Sequence, residues 1–144
     1  MSDSAAQGEA LDALRSVPLF AGFTPRQLRT IADSAAERRF QAGETIVKQG
    51  DAGIGFFLIL HGTVEVLKSG TKVASLSAGQ FFGEMALLDE QPRTAEVRAT
   101  SDVRCSVLAR WEFWGTVGTD PAAIKALLQE TVRRLRTPAA GLTE

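Results

Sequence analysis

Apolar positions along this chain change their period twice. In the first forty residues they recur at helical spacing. Leu11 and Leu14 share one side of a short helix predicted over 9–16, after a small, polar 1–8 read as a flexible N-terminus. Pro18 interrupts that pattern, and Leu19, Phe20 and Phe23 supply an apolar cluster behind it. Thr24-Pro25-Arg26-Gln27 then reads as a helix start. Threonine caps, proline suits the first helical position, and glutamine can close a capping box. Leu28, Ile31, Ala32 and Ala35 continue it on one face.

From Phe40 the pattern turns to short β-rich runs, at 45–48, 55–60, 63–68, 72–76, 94–99 and 103–109. Glycine-bearing turn signals separate most of them, such as Gln49-Gly50-Asp51, His61-Gly62 and Ser69-Gly70. Many short strands at close spacing imply a β-barrel or sandwich, not alternating β–α–β units. Helical spacing returns at Asp120-Pro121, a cap followed by a first-position proline. Ile124, Leu127, Leu128, Thr131, Val132 and Leu135 form its wide apolar stripe, and Arg133, Arg134 and Arg136 crowd its last turn. Pro138 and Gly141 are the stop signals. No internal repeat and no interdomain linker interrupts the chain.

At 144 residues this is one domain of ordinary globular composition, 44% hydrophobic and 23% charged. Sixteen basic against seventeen acidic residues leave a net charge of -1, which argues against a dedicated DNA-binding protein. One cysteine, Cys105, and one histidine, His61, exclude an intramolecular disulfide, a multi-cysteine metal site and a His-rich metal centre. No apolar run is long enough for a membrane helix, and 1–10 lacks the basic start of a secretory signal. A cytoplasmic protein with a reduced thiol is the expectation. Cys105 is expected to be a small core residue and His61 a solvated turn residue.

Chemistry concentrates in the stretch Phe81-Phe82-Gly83-Glu84-Met85-Ala86-Leu87-Leu88-Asp89-Glu90-Gln91-Pro92-Arg93-Thr94-Ala95-Glu96-Val97. Gly83 permits an unusual backbone or a close approach. Met85 and Ala86 would present N–H groups at the start of a helical turn. Arg93 carries the planar fork of donors that suits a phosphate, and Thr94 adds a hydroxyl. Glu84 accepts hydrogen bonds only, as from a sugar hydroxyl. Together these groups describe a pocket for a sugar phosphate with one negative charge.

This stretch resembles the phosphate-binding cassette of the cyclic nucleotide-binding domains, of the cAMP receptor protein and protein kinase A regulatory subunit type. Phe82-Gly83-Glu84, Ala86-Leu87 and Pro92-Arg93-Thr94-Ala95 carry the match. Phe20, the turns at Gly43-Glu44 and Gln49-Gly50-Asp51, the 57–66 hairpin with Gly62, and Gly79-Gln80-Phe81 extend the resemblance over about 17–136. It implies a mainly β fold with flanking helices: a double-stranded β-helix (jelly-roll-like) barrel over 38–109. N-terminal helices would occupy 9–37 and C-terminal hinge and lid helices 110–136, with a tail at 137–144.

The resemblance also implies roles. Arg93 would bind the equatorial phosphate oxygen, with Ala86 N–H and Thr94 completing the phosphate contacts. Glu84 and the Gly83 backbone would bind the ribose 2′-hydroxyl. Val66 and Val73 match positions that pack on the purine, Leu128 or Leu135 would close over the base, and Arg134 matches a position that approaches the cassette glutamate. Trp111, Phe113 and Trp114 are read as core or hinge packing next to Leu87 or Leu88.

The expected function is a non-enzymatic cyclic nucleotide sensor acting on a separate effector protein. The ligand is cAMP by family prior, and Thr94 leaves cGMP open. The alternative is an interaction module that keeps the fold without a nucleotide. A phosphodiesterase would need clustered metal ligands or a nucleophile with a base, which one histidine does not supply. Pro138 falls where transcription regulators of this family extend a helix toward a helix-turn-helix domain. The chain is therefore read as a stand-alone bacterial-type member, with DNA binding unsupported and oligomeric state open.

Overall fold

The computed structural model describes residues 2–53, 55–89 and 91–136, with side chains from Gly8 onward. Helix α1 (Ser2–Leu14) leads through a 3-10 turn (Pro18–Phe20) to helix α2 (Pro25–Ser34). Strands β1 (Ala36–Phe40), β2 (Thr45–Val47), β3 (Gly55–His61), β4 (Thr63–Lys68), β5 (Thr71–Ser77) and β6 (Phe81–Phe82) follow. A second 3-10 turn (Glu84–Leu87) precedes β7 (Glu96–Ala99) and β8 (Val103–Ala109), and helices α3 (Arg110–Val117) and α4 (Pro121–Arg136) complete the described chain. Pro138 and Gly141 lie outside it.

Two antiparallel four-stranded sheets face each other, ordered β1-β8-β3-β6 and β2-β7-β4-β5. Among the described residues no ladder joins one sheet to the other, so the fold is jelly-roll-like without being a closed barrel. Strand β3 explains the arrangement. Gly55 through Leu60 are all buried, because each face of the strand has a partner layer. Phe56, Leu58 and Leu60 pack among the helices with Phe20, Leu28, Ile31, Phe113 and Leu127. Phe57 and Ile59 pack between the sheets with Val64, Val97, Val103 and Cys105. A continuous apolar run is what such a doubly covered strand requires. Burial pushes the Cys105 thiol up to about 12, so it serves as a small core side chain.

The predicted caps are present. Gln27 N–H donates to Thr24 Oγ1 at 3.2 Å, and Thr24 N–H donates to Gln27 Oε1 at 2.8 Å. Asp120 Oδ1 accepts from the N–H groups of Ala122 and Ala123 at 3.0 and 3.3 Å. Gln27 also donates through Nε2 to Asp120 Oδ2 at 3.0 Å, so one side chain closes the α2 cap and fastens the start of α4.

Three elements depart from the sequence pattern. Helix α1 begins at Ser2, ahead of the predicted Glu9; Ser2, Asp3 and Ser4 are residue types that suit a helix start, and Ala5, Ala6 and Gln7 are good helix formers. Strand β1 occupies Ala36–Phe40, across the expected boundary between the N-terminal helices and the barrel. Its charged sequence Ala-Glu-Arg-Arg-Phe suits an exposed sheet edge, and charge there discourages pairing with another chain. Strand β6 is only two residues long, too short to leave a periodic signal. Among the described residues no helix is long and apolar enough to cross a membrane.

Candidate functional site: the cassette between β6 and β7

The cassette leaves one sheet at Phe82, the end of β6, and enters the other at Glu96, the start of β7. Gly83 makes the exit with φ +83°. The 3-10 turn that follows closes through Ala86 N–H donating to Gly83 O at 3.1 Å. The Ala86 donor, expected to face an anion, is thus engaged within the turn. A 3-10 turn bonds i to i+3, one residue sooner than an α-helix, so Ala86 is the first donor taken up inside it.

Arg93 is positioned from both ends. Its main chain is clamped to the β2–β3 turn, with Arg93 N–H donating to Asp51 O and Gly50 N–H donating to Arg93 O, each at 2.8 Å. Its guanidinium reaches back to β3, where Nη2 donates to Gly55 O at 2.7 Å and the group lies over the Phe57 ring, 5.8 Å from the centroid. A Cβ on Gly83 would come within 2.5 Å of Arg93 Nη1, so the guanidinium rests against a backbone stripped of side chain. Arg93 is half-buried, and that burial pulls its pKa below the ordinary arginine value. No carboxylate among the described residues pairs with it.

Glu84 faces the other way, toward α4. Arg134 Nη1 stands 3.4 Å from Glu84 Oε2. Burial raises the Glu84 pKa above its ordinary 4.5, and the Arg134 charge and hydrogen bond oppose that rise.

Between these groups lies a cleft of about 360 Å³ lined by Gly83, Glu84, Met85, Ala86, Asp89, Gln91, Pro92, Arg93 and Thr94. That volume falls within the range of small-ligand pockets. Ala95 follows as a half-buried residue at the foot of β7. A second cavity of about 460 Å³ adjoins Arg93 and opens between the sheets, with Phe40, Val47, Phe57, Val107 and Trp111 among its walls.

A family model described as the cyclic nucleotide-binding domain matches residues 37–120. The chain belongs to the cyclic nucleotide-binding domain family. It is 36% identical over 118 residues to the cAMP-dependent protein kinase regulatory subunit of Hypocrea atroviridis, covering 82% of this chain and 25% of that protein. For the same subunit of Emericella nidulans the identity is 40% over 107 residues, 73% of this chain and 26% of that one. The chain spans about a quarter of the length of these curated relatives.

Two solved structures share the fold. The N-terminal domain of a transcriptional regulator from Streptomyces coelicolor A3(2) superposes with a TM-score of 0.81 at 29% identity, over 87% of this chain and 93% of that one. The regulatory domain of Toxoplasma gondii PKA, solved with cAMP, gives 0.70 at 26% identity, over 91% and 51%.

Within this cyclic nucleotide-binding domain the cassette residues Gly83, Glu84, Met85, Ala86, Arg93 and Thr94 share one cleft, and Arg134 joins them through Glu84. Val66, Val73, Leu128 and Leu135 are not among its walls. Val66 packs half-buried against the core between the sheets. Val73 stands 54% exposed on β5, the outermost strand of its sheet. Helix α4 buries Ala123, Leu127 and Glu130 and leaves Leu128 at 60% and Leu135 at 71% exposure. The wide stripe read from the sequence therefore divides. Its inner edge packs on α3 and the Pro18–Phe20 turn, and its outer edge faces solvent.

Two residues tie the cassette to α3. Arg110 Nη1 donates to Gly53 O at 2.8 Å and Ala86 O at 3.2 Å, and Trp114 Nε1 donates to Leu87 O at 2.7 Å. Trp114 is expected near the hinge from its place in the sequence, whereas nothing in the sequence pattern singles out Arg110. Its partners are backbone carbonyls, which leave no trace in residue type.

The Glu84 environment predicts a pH effect without added nucleotide. A carboxyl whose folded pKa is raised holds its proton more tightly than the unfolded chain does. Its contribution to stability is full below pH 4.5 and is lost as pH rises through the folded value. Glu84→Gln is expected to abolish that loss, so its melting temperature gains on the wild type as pH rises from 4.5. A wild type that gains on the variant over the same range would contradict the burial of this carboxyl.

Proposed function

We propose that this domain binds cAMP in the cassette cleft and passes the occupancy of that cleft to a separate effector protein through α3 and α4. The observation that carries the reading is the half-buried Arg93 guanidinium, which has no carboxylate partner among the described residues and lines a cleft with Glu84. A desolvated cation without a counter-charge is poised for an anionic ligand. The opposite character of Glu84, an acceptor of hydrogen bonds, suits the sugar hydroxyl of the same molecule. The choice of cAMP over cGMP is supported by the cAMP-dependent regulatory subunits among the relatives and by the neighbour solved with cAMP.

In this reading Thr94 and Ala95 complete the phosphate wall. Val66 and Val73 take the purine, and α4 closes until Leu128 or Leu135 covers the base. The exposed outer edge of α4 is the surface free to do so. The domain works as a binder and not as a catalyst, in the cytoplasm, and its effector acts in trans without DNA. The transmission path starts at the carbonyls of Ala86 and Leu87. Both are gripped by α3 side chains, so a cassette displaced by ligand takes Arg110 and Trp114 with it.

Titration with cAMP and cGMP side by side, followed by calorimetry and tryptophan emission, tests both halves. Saturable one-site binding with tighter cAMP is expected. A change in emission should survive Trp111→Phe and disappear in Trp114→Phe. Equal affinities would remove the cAMP preference. Absence of heat and of thermal stabilisation with either nucleotide would leave the ligand-free interaction module as the better reading.

A further inference from the structure

The contacts around Arg93 raise a question that the assignment of the phosphate does not answer: what holds a charged, half-buried guanidinium in one place while leaving its charge available? A carboxylate would orient it, but an incoming anion would then have to displace a counter-charge. The partners found here are neutral. Gly55 O accepts from Nη2 at 2.7 Å, and the group lies over the Phe57 ring at 5.8 Å. Gly55 and Phe57 sit two apart on the central strand β3 and are both buried. Phe57 is itself held, stacked on Phe82 with centroids 4.8 Å apart and planes 7° from parallel. Phe82 pairs with Phe57 across the β3–β6 ladder and directly precedes Gly83, against which the guanidinium rests. One aromatic pair therefore connects the exit of the cassette to the arginine at its far end.

We propose that Phe57 is a positioning residue for the anion site: its ring, fixed by the Phe82 stack, holds the Arg93 guanidinium in its binding orientation without neutralising it. This rests on the reading of Arg93 as the phosphate-binding group. A ring face attracts a cation through its quadrupole and, unlike a carboxylate, does not compete with the ligand. The carbonyl of Gly55 fixes one nitrogen, and the ring fixes the plane in which the others are presented.

The test uses the full chain with Phe57→Leu, Phe57→Met and Phe57→Tyr, the methionine variant serving if leucine compromises folding. Phe57→Leu is expected to weaken cAMP binding about 5- to 30-fold, while Phe57→Tyr, which keeps the ring face, stays within about twofold. The second readout needs no nucleotide. The Arg93 Nε–Hε resonance, assigned with Arg93→Lys, should be displaced by the Phe57 ring current. It should move toward the position of a free arginine in Phe57→Leu and Phe57→Met, and hold in Phe57→Tyr. An Arg93 resonance unmoved by loss of the ring would overturn the proposal, as would equal loss of affinity in the leucine and tyrosine variants. If the wild type binds no cyclic nucleotide, the functional reading fails, and the resonance still decides whether Phe57 positions Arg93.

Discussion

Arg93→Ala is expected to weaken cAMP binding by on the order of 10²–10³-fold while leaving the melting temperature within a few degrees of the wild type. The loss of affinity follows from the pair the phosphate would form with this guanidinium. Withdrawing one partner of a largely desolvated ion pair leaves the other uncompensated, and that costs about 3–5 kcal/mol. The small effect on stability has a different origin. Without nucleotide the guanidinium is a half-buried cation whose interactions, with Gly55 O and the Phe57 ring, involve neutral groups. Their loss and the relief of a desolvated charge oppose each other, each at about 1 kcal/mol. Calorimetry and a thermal melt on the same preparation read the two quantities separately. An Arg93→Ala protein that binds cAMP as tightly as the wild type would end the assignment of the phosphate to Arg93. Arg93→Lys is expected to fall between, since an ammonium keeps the charge and loses the fork.

How much of this site was legible in the sequence depended on whether a feature is local. The caps at Thr24 and Asp120 are local, because donor and acceptor lie within three residues, and both formed as their residue types indicate. The β3 strand was equally plain, since a run apolar at every position needs cover on both faces. Gly83, Glu84, Arg93 and Thr94 could be singled out because a small sugar-phosphate site needs those chemistries close together, and the cleft does gather them.

Other features depended on distant partners. Strand β1 is legible only beside β8, where its register runs from Ala36 opposite Val107 to Phe40 opposite Val103. Its charged sequence carries little β signal of its own. The division of the α4 stripe depends on which side meets the Pro18–Phe20 turn, more than a hundred residues earlier. The Ala86 donor could not be foreseen as engaged, because helical spacing does not tell a 3-10 turn from the start of an α-helix. The contacts that orient Arg93, to Gly55 and Phe57, cross 38 and 36 residues, respectively, and one ends on a backbone oxygen. Such contacts are where the fold, rather than the motif, builds the site.

The same geometry gives Gly83→Ala the second large effect: a loss of about 2–3 kcal/mol in stability, ~6–12 °C in melting temperature, and cAMP binding weakened at least ~100-fold. Two costs combine. At φ +83° an alanine adopts a backbone conformation that L side chains disfavour, worth about 1 kcal/mol or more. The added methyl would also lie 2.6 Å from Gly55 O and 2.5 Å from Arg93 Nη1. The arginine tip can swing aside, but Gly55 O belongs to the buried central strand and cannot, so the cassette must shift. That shift would carry Glu84 away from Arg134 and push Arg93 off its carbonyl, spoiling both ends of the cleft together. Gly79→Ala separates the two costs. Gly79 has φ +90° with nothing within 4 Å of an added Cβ, so it pays the backbone cost alone and should leave nucleotide binding intact. If Gly83→Ala behaved like Gly79→Ala in both the melt and the titration, the close approach of Arg93 to Gly83 would have no part in forming the site.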